Sequence, residues 1–306
     1  MPAAAPLSAN VKGVIFMALA MAGFSMNDAL VKSVTGEMGT AQIMFLRGLM
    51  TSVLVIALAW QFGALRPGRI ALTPVLALRI FAEVGASLTY ISALGQIPLA
   101  NAAAILQALP LAVTLGAALF LGEPVGWRRW MAIVVGFIGV LIVLRPGPEG
   151  FTPAALSVVA CVVFAAIRDL CTRRIAREVP SLFITVLTSV VITLVGAALI
   201  GPTGGWRPVG PESLAHLAGA SFLLLIGYQC IVLAMRNGEI SFVAPFRYTS
   251  LIWSIGLGLI FFAEVPDVWM VTGILVIVGS GLYTFYRENR RRVAAIAQTS
   301  EPGTPK

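Results

Sequence analysis

The chain is 306 residues long, 58% hydrophobic and only 11% charged, whereas a typical soluble domain has roughly 25% charged residues. That much apolar surface excludes a soluble globular fold. The formal charge of +8 would suit a nucleic-acid partner, but the basic residues fall in short loops on one side of a membrane, so none is expected.

Apolar runs of about 20 residues, each enough to cross a hydrocarbon core of roughly 30 Å as a helix, lie at about 11–33, 40–62, 71–95, 99–121, 127–144, 152–175, 182–200, 213–236, 241–263 and 268–287. The expected fold class is all-α integral membrane, with ten transmembrane helices. The first run opens at Lys12 and passes Ala20-Met21-Ala22, which faintly resembles a signal-peptide site. The apolar stretch continues past it, so an uncleaved span is expected. Asn27, Asp28 and Lys32 then put an amide, a carboxylate and an ammonium into this otherwise oily segment.

Residues 141 apart match along nearly the whole chain without a gap: Asp28 with Asp169, Lys32 with Arg173, Phe120 with Phe261, Glu123 with Glu264. The expected domains are therefore two repeats of five spans, 11–146 and 151–287, joined by the turn-rich Arg145-Pro146-Gly147-Pro148-Glu149-Gly150. An odd number of spans per repeat inverts the second copy, as in many secondary transporters. Residues 288–306 are expected to be a disordered tail.

With the N-terminus cytoplasmic, the inside carries Lys12, Arg66, Arg69, Arg128, Arg129, Arg173, Arg174, Arg177, Arg236, Arg287, Arg290, Arg291, Arg292 and Lys306. The outside carries only Lys32, Arg145 and Arg207. This bias predicts both termini cytoplasmic in a cell inner membrane.

Pro98, Pro110 and Pro245 fall at or within spans four and nine, the repeat-related pair, where a kink beside a cavity and a purely structural kink are both open. Cys161, Cys171 and Cys230 lie in apolar segments and read as small buried hydrophobes. Glu123 and Glu264 precede Pro124 and Pro266 near the next helix start. Capping of that helix is the first reading, and gating the second.

Arg47, Arg79, Arg168 and Arg247 lie within spans, together with Asp28, Glu83 and Asp169. Lipid exposure of such a group costs at least about 2.5–3.5 kcal/mol, so they are expected to face the bundle interior. Asp28 and Arg47 are placed at similar depth and are expected to pair. Asp28 with Lys32 and Arg79 with Glu83 are spaced i, i+4, so intrahelical ion pairs could also account for them. Asn27, Tyr90, Asn101, Gln107, Tyr228, Gln229, Phe246, Tyr248 and Trp253 supply amides and aromatic walls around these charges, suited to a flat organic solute. Trp60, Trp127, Trp206 and Trp269 read as interfacial anchors.

The ten spans, the inverted repeat, the Glu followed closely by Pro after spans four and nine, and the glycine-rich final hairpins (Gly136, Gly139; Gly273, Gly279, Gly281) resemble the drug/metabolite transporter superfamily, in its EamA-domain branch. The resemblance covers about 11–287. It implies a central cavity lined by spans one, three, four, six, eight and nine, on which Asn27, Asp28, Arg79, Glu83, Tyr90, Gln107, Arg168, Asp169, Tyr228, Arg247 and Tyr248 fall. Arg47, on span two, falls outside it. Asn101, Gln229 and Trp253 complete the expected substrate-binding set.

The run Ser25-Met26-Asn27-Asp28-Ala29-Leu30-Val31-Lys32, with Gln42-Ile43 and Phe45-Leu46-Arg47-Gly48, looks most like bacterial permeases associated with riboflavin uptake, S-adenosylmethionine uptake and metallophore export. Riboflavin uptake is the expectation chosen here, because a flavin suits stacking on Tyr90, Tyr228, Tyr248 or Trp253. The alternatives are S-adenosylmethionine uptake and export of amino-acid-like metabolites or metallophores. The expected partners are a small-molecule solute and the lipid bilayer, with monomer and homodimer both open. A membrane enzyme would need a nucleophile, metal cluster or phosphate cradle, and no such motif is present; no catalytic residue, metal or cofactor is expected. A channel would commonly ring its pore with like charges, whereas these are mixed in sign.

Overall fold

The computed structural model describes residues 7–63, 73–123, 125–145, 152–175 and 179–299. Arg66, Arg69, Pro124, the linker from Pro146, Arg177 and the end of the tail from 300 lie outside the described residues.

Among the described residues ten helices are long and apolar enough to cross a membrane: α1 (Ala9–Val34), α2 (Thr40–Gln61), α3 (Pro74–Leu94), α4 (Leu99–Phe120), α5 (Trp127–Leu144), α6 (Pro153–Arg174), α7 (Ser181–Ile200), α8 (Pro211–Asn237), α9 (Ala244–Phe262) and α10 (Val268–Arg287). Among the described residues there is no strand, as the expected fold class requires. The last helix runs on to Thr299. That carries it beyond 287, through a stretch with Ala and Arg, both good helix formers.

The inverted repeat governs the packing. α1 packs on α8 as α3 packs on α6, while α2 meets α7 and α5 meets α10, each helix against its own repeat mate. Where α2 and α7 cross, Ser52 Oγ and Thr193 Oγ1 are 3.3 Å apart and 141 residues apart in sequence. Glycine sets these crossings: a Cβ on Gly48 would lie 2.6 Å from Thr193 Oγ1, and one on Gly139 would lie 3.0 Å from Ile277 N. Such close approach lets backbones touch where lipid offers no hydrophobic drive for association.

Two spans are broken at matching positions. α4 is helical over Leu99–Leu106 and Leu109–Phe120, and α9 enters through a 3-10 turn, Ala244–Tyr248, before Thr249–Phe262. Pro110 and Pro245 sit at these breaks and lack the N–H that would continue an α-helix. Gln107 Nε2 bridges them, donating to Arg247 O at 3.5 Å and, over a short contact, to Ser250 Oγ. A backbone group freed inside a membrane is satisfied by a neighbouring side chain.

Candidate functional site

The charges gather where α1, α2, α3, α6, α8 and α9 face one another. On the α3–α6 side, Arg168 Nε donates to Asp169 Oδ1 at 2.8 Å and its Nη1 to Glu83 Oε1 at 3.2 Å. Arg79, on the turn of α3 before Glu83, reaches it at 3.8 Å. It donates at shorter range to Thr172 Oγ1 (3.0 Å) and Thr188 Oγ1 (2.9 Å), tying α3 to α6 and α7. The expected Arg79–Glu83 pair therefore exists but is the weaker one, because Arg168 reaches Glu83 across the helix interface. Asp169 keeps 38% of its side chain exposed. A carboxylate that exposed inside a span is not bathed in lipid, so this space is polar.

The α1 side repeats the motif. Asn27 Nδ2 donates to Asp28 Oδ1 at 2.8 Å, the same neighbour bond that Arg168 makes to Asp169. Tyr90 Oη donates to Asp28 Oδ2 at 2.7 Å. Among the described residues Asp28 forms no ion pair with Lys32, which turns to Glu264 instead; the expected i, i+4 pair is corrected. Arg47 joins this group, with Asp28, Tyr228, Tyr90 and Glu83 as its electrostatic neighbours. Among the described residues its side chain forms no hydrogen bond and no ion pair, and its Nε is buried without a partner. The expected Asp28–Arg47 ion pair is not formed among the described residues, although Arg47, left outside the cavity set on span two, lies in the field of Asp28. The available signal was an arginine next to Gly48, the glycine that draws α2 against α7.

Tyr228 lies in the field of Glu83, Arg168, Arg47 and Arg79. Its ring meets Phe24 edge-on at 5.3 Å and remains half-exposed. Arg247, in the break of α9, has Asp169, Tyr248 and Arg168 as electrostatic neighbours and forms no ion pair among the described residues. Tyr248 Oη is buried without a partner, beside Gly281, where a Cβ would overlap it.

Three expected site residues stay apart. Asn101 lines an outer cleft of about 360 Å³ with Gln96, Arg145 and Asp267, because it sits only one turn inside the start of α4. Gln229 lines an apolar groove of about 350 Å³ between α2 and α8, since it follows Tyr228 by one residue and so points about 100° away. Trp253 is exposed on α9 and joins none of these contacts. Neither cleft contains the charged cluster.

The ends of the bundle differ. At the expected outer end, Lys32 Nζ pairs with Glu264 Oε1 at 3.0 Å and donates to Leu94 O at 2.9 Å and Ile97 O at 2.5 Å. Glu264 Oε2 accepts from Leu99 N at 2.7 Å. Glu264 thus caps α4, whereas α10 is capped by Asp267, which accepts from Met270 N; the expected cap on the following helix is corrected. At the opposite end the repeat-related pair, Arg173 and Glu123, makes one bond of 3.5 Å with both side chains about half exposed. Among the described residues Arg173 bonds to no carbonyl of the α8–α9 turn, which packs on α1 instead: Glu239 N donates to Asn10 Oδ1 at 2.9 Å.

Among the described residues no group of His, Cys, Asp and Glu could hold a metal ion. Cys161 and Cys171 are buried and Cys230 is partly so, all as free thiols.

The model of the EamA-like transporter family matches residues 11–145 and 152–286, one match per repeat. An S-adenosylmethionine uptake transporter of Rickettsia felis is 26% identical over 287 residues, covering 93% of this chain and 96% of that protein. The pseudopaline exporter CntI of Pseudomonas aeruginosa is 30% identical over 278 residues, covering 87% and 93%. A riboflavin transporter of Rhizobium johnstonii is 30% identical over 202 residues, covering 66% and 67%. One crystal structure superposes with a TM-score of 0.62 at 23% identity, covering 94% of this chain and 98% of that one, which supports the fold.

Proposed function

This chain belongs to the EamA-like transporter family, and from that premise we propose that it is a secondary carrier. It moves a small organic metabolite across the inner membrane by alternating access around the charged cluster, with both termini cytoplasmic. The observation that carries this reading is the inequality of two repeat-related ion pairs at opposite ends of the bundle. Lys32–Glu264 is short, shielded and backed by three backbone hydrogen bonds, and Arg173–Glu123 is long and open. In an inverted repeat the two ends exchange conformations, so a closed outer end with a loosened inner end describes one of two mirror-related states. Glu123 and Glu264 act as gates, the role that stood second for them in the sequence.

Riboflavin is one candidate solute, favoured by the half-exposed Tyr228 ring and the riboflavin-transporting relatives. Tyr90 supports it less, since its hydroxyl is committed to Asp28. A charged metabolite matches the cluster better. Counterflow in proteoliposomes, with riboflavin, S-adenosylmethionine and a panel of amino acids as radiolabelled solutes, tests the reading. Accelerated exchange of at least one solute, abolished by Lys32→Cys/Glu264→Cys crosslinking and restored on reduction, is the expected result. Exchange indifferent to that crosslink would refute alternating access through these ends.

A further inference from the structure

Two of the polar seams that cross this bundle differ in symmetry. The first lies at the breaks of α4 and α9. Gln107 Nε2 donates to Arg247 O at 3.5 Å and, over a short contact, to Ser250 Oγ. Ser25 Oγ, from α1, donates to Ser250 O at 3.2 Å and lies 3.2 Å from Ser254 Oγ. Ser25 and Ser254 are each 2% exposed, so water does not compete for these bonds. The second seam is the Ser52–Thr193 contact between α2 and α7.

The 141-residue repeat gives each seam a counterpart. Gln107 maps onto Tyr248, and the two share one backbone conformation, φ −67° and ψ −11°, so the register holds at the breaks. Ser250 maps onto Leu109, Ser25 onto Ala166 and Ser254 onto Val113. α6 packs on α4 as α1 packs on α9, but these three counterparts carry no hydroxyl. Tyr248 keeps one, buried without a partner. Ser52 and Thr193, in contrast, map onto each other.

An inverted repeat passes between its two states by exchanging the conformations of its halves. A seam whose two sides are each other's counterparts survives that exchange, whereas one whose counterparts are apolar does not. Resting on the carrier reading above, we infer that the Gln107–Ser250–Ser25 seam is a latch made in one state only, so that the conformation closed at Lys32–Glu264 is the resting state of the solute-free carrier. Solute must bind the other state more tightly by enough to offset the seam before that end opens. A neutral hydrogen bond contributes a factor of about two to ten to such a ratio.

The test is the distance between spin labels at Gln96→Cys and Val265→Cys, exposed on the two turns at that end. It is measured on the full chain in nanodiscs without solute, with the native cysteines replaced by serine. The short distance should dominate. Gln107→Leu, which loses two bonds, should raise the longer-distance population at least about fivefold, and Ser250→Ala, which loses one, at least about twofold. Ser52→Ala should lower the melting temperature and leave the distribution where it was, because both states lose the same contact. A purely structural seam would lower the melting temperature in all three variants and move the distribution in none. An unmoved distribution in either seam variant, or an equal shift in Ser52→Ala, overturns the latch. Counterflow of any solute in that same preparation then leaves the carrier reading standing, while one fixed distance in every variant with no counterflow sinks both, so the two failures are distinguishable.

Discussion

The most direct consequence of the paired ends is an asymmetric response to removing each glutamate. Glu264→Gln keeps an acceptor for Leu99 N and deletes the charge opposite Lys32. Lys32 and Glu264 are 9% and 17% exposed, so water screens the pair little. A hydrogen bond to a charged group contributes about 1.5–3 kcal/mol. At 1.4 kcal/mol per factor of ten, losing it lowers the closed-to-open ratio of the outer end by about 10- to 150-fold. Glu123→Gln acts on a pair 54% and 48% exposed, where exposed ion pairs contribute about 0–1 kcal/mol. Its effect is then about fivefold at most.

The assay is electron–electron distance measurement between spin labels at Gln96→Cys and Val265→Cys, with the three native cysteines replaced by serine. Gln96 is exposed on the α3–α4 turn and Val265 on the α9–α10 turn, so the labels straddle the outer closure without touching it. A longer-distance population should emerge in Glu264→Gln and not in Glu123→Gln. An unchanged distribution in Glu264→Gln, or the same shift in both variants, refutes the assignment of these pairs as unequal gates.

Arg168→Gln strips both Glu83 and Asp169 of their nearest cation. It should destabilise the protein by about 3–5 kcal/mol, seen as a large fall in melting temperature by fluorescence-detected gel filtration, with part recovered in the Arg168→Gln/Glu83→Gln double variant. Gly139→Ala places a Cβ 3.0 Å from the Ile277 backbone and should cost about 1–3 kcal/mol, whereas Gly36→Ala, with open space around it, should leave the same melting curve unmoved. Tyr90→Phe removes a hydrogen bond to a charged group contributing about 1.5–3 kcal/mol. It should lower solute affinity in equilibrium binding more than it lowers thermal stability; the reverse order would assign Tyr90 to structure.

The sequence by itself determined the architecture. Length and hydropathy dictated the spans because only helices satisfy their own backbone in lipid, and the 141-residue repeat dictated the inversion because five spans return a chain to the opposite face. The same arithmetic linked Lys32 with Arg173 and Glu123 with Glu264, although not which arm each would hold. Partners within the bundle were decided by tertiary structure alone. Spacing along one helix suggested Asp28 with Lys32, but Lys32 sits at the C-terminal end of α1, where the α3–α4 turn and Glu264 arrive from other parts of the chain.

Depth along a helix can be counted from sequence, whereas azimuth toward a particular neighbour cannot, because it depends on how glycines such as Gly48 and Gly139 let helices approach. That is why Gln229 and Asn101, at plausible depths, lie away from the cluster. It is also why Arg47, on a helix outside the expected cavity-lining set, stands inside it: a charge in a membrane takes the orientation that spares it from lipid, and the fold as a whole decides where that direction points.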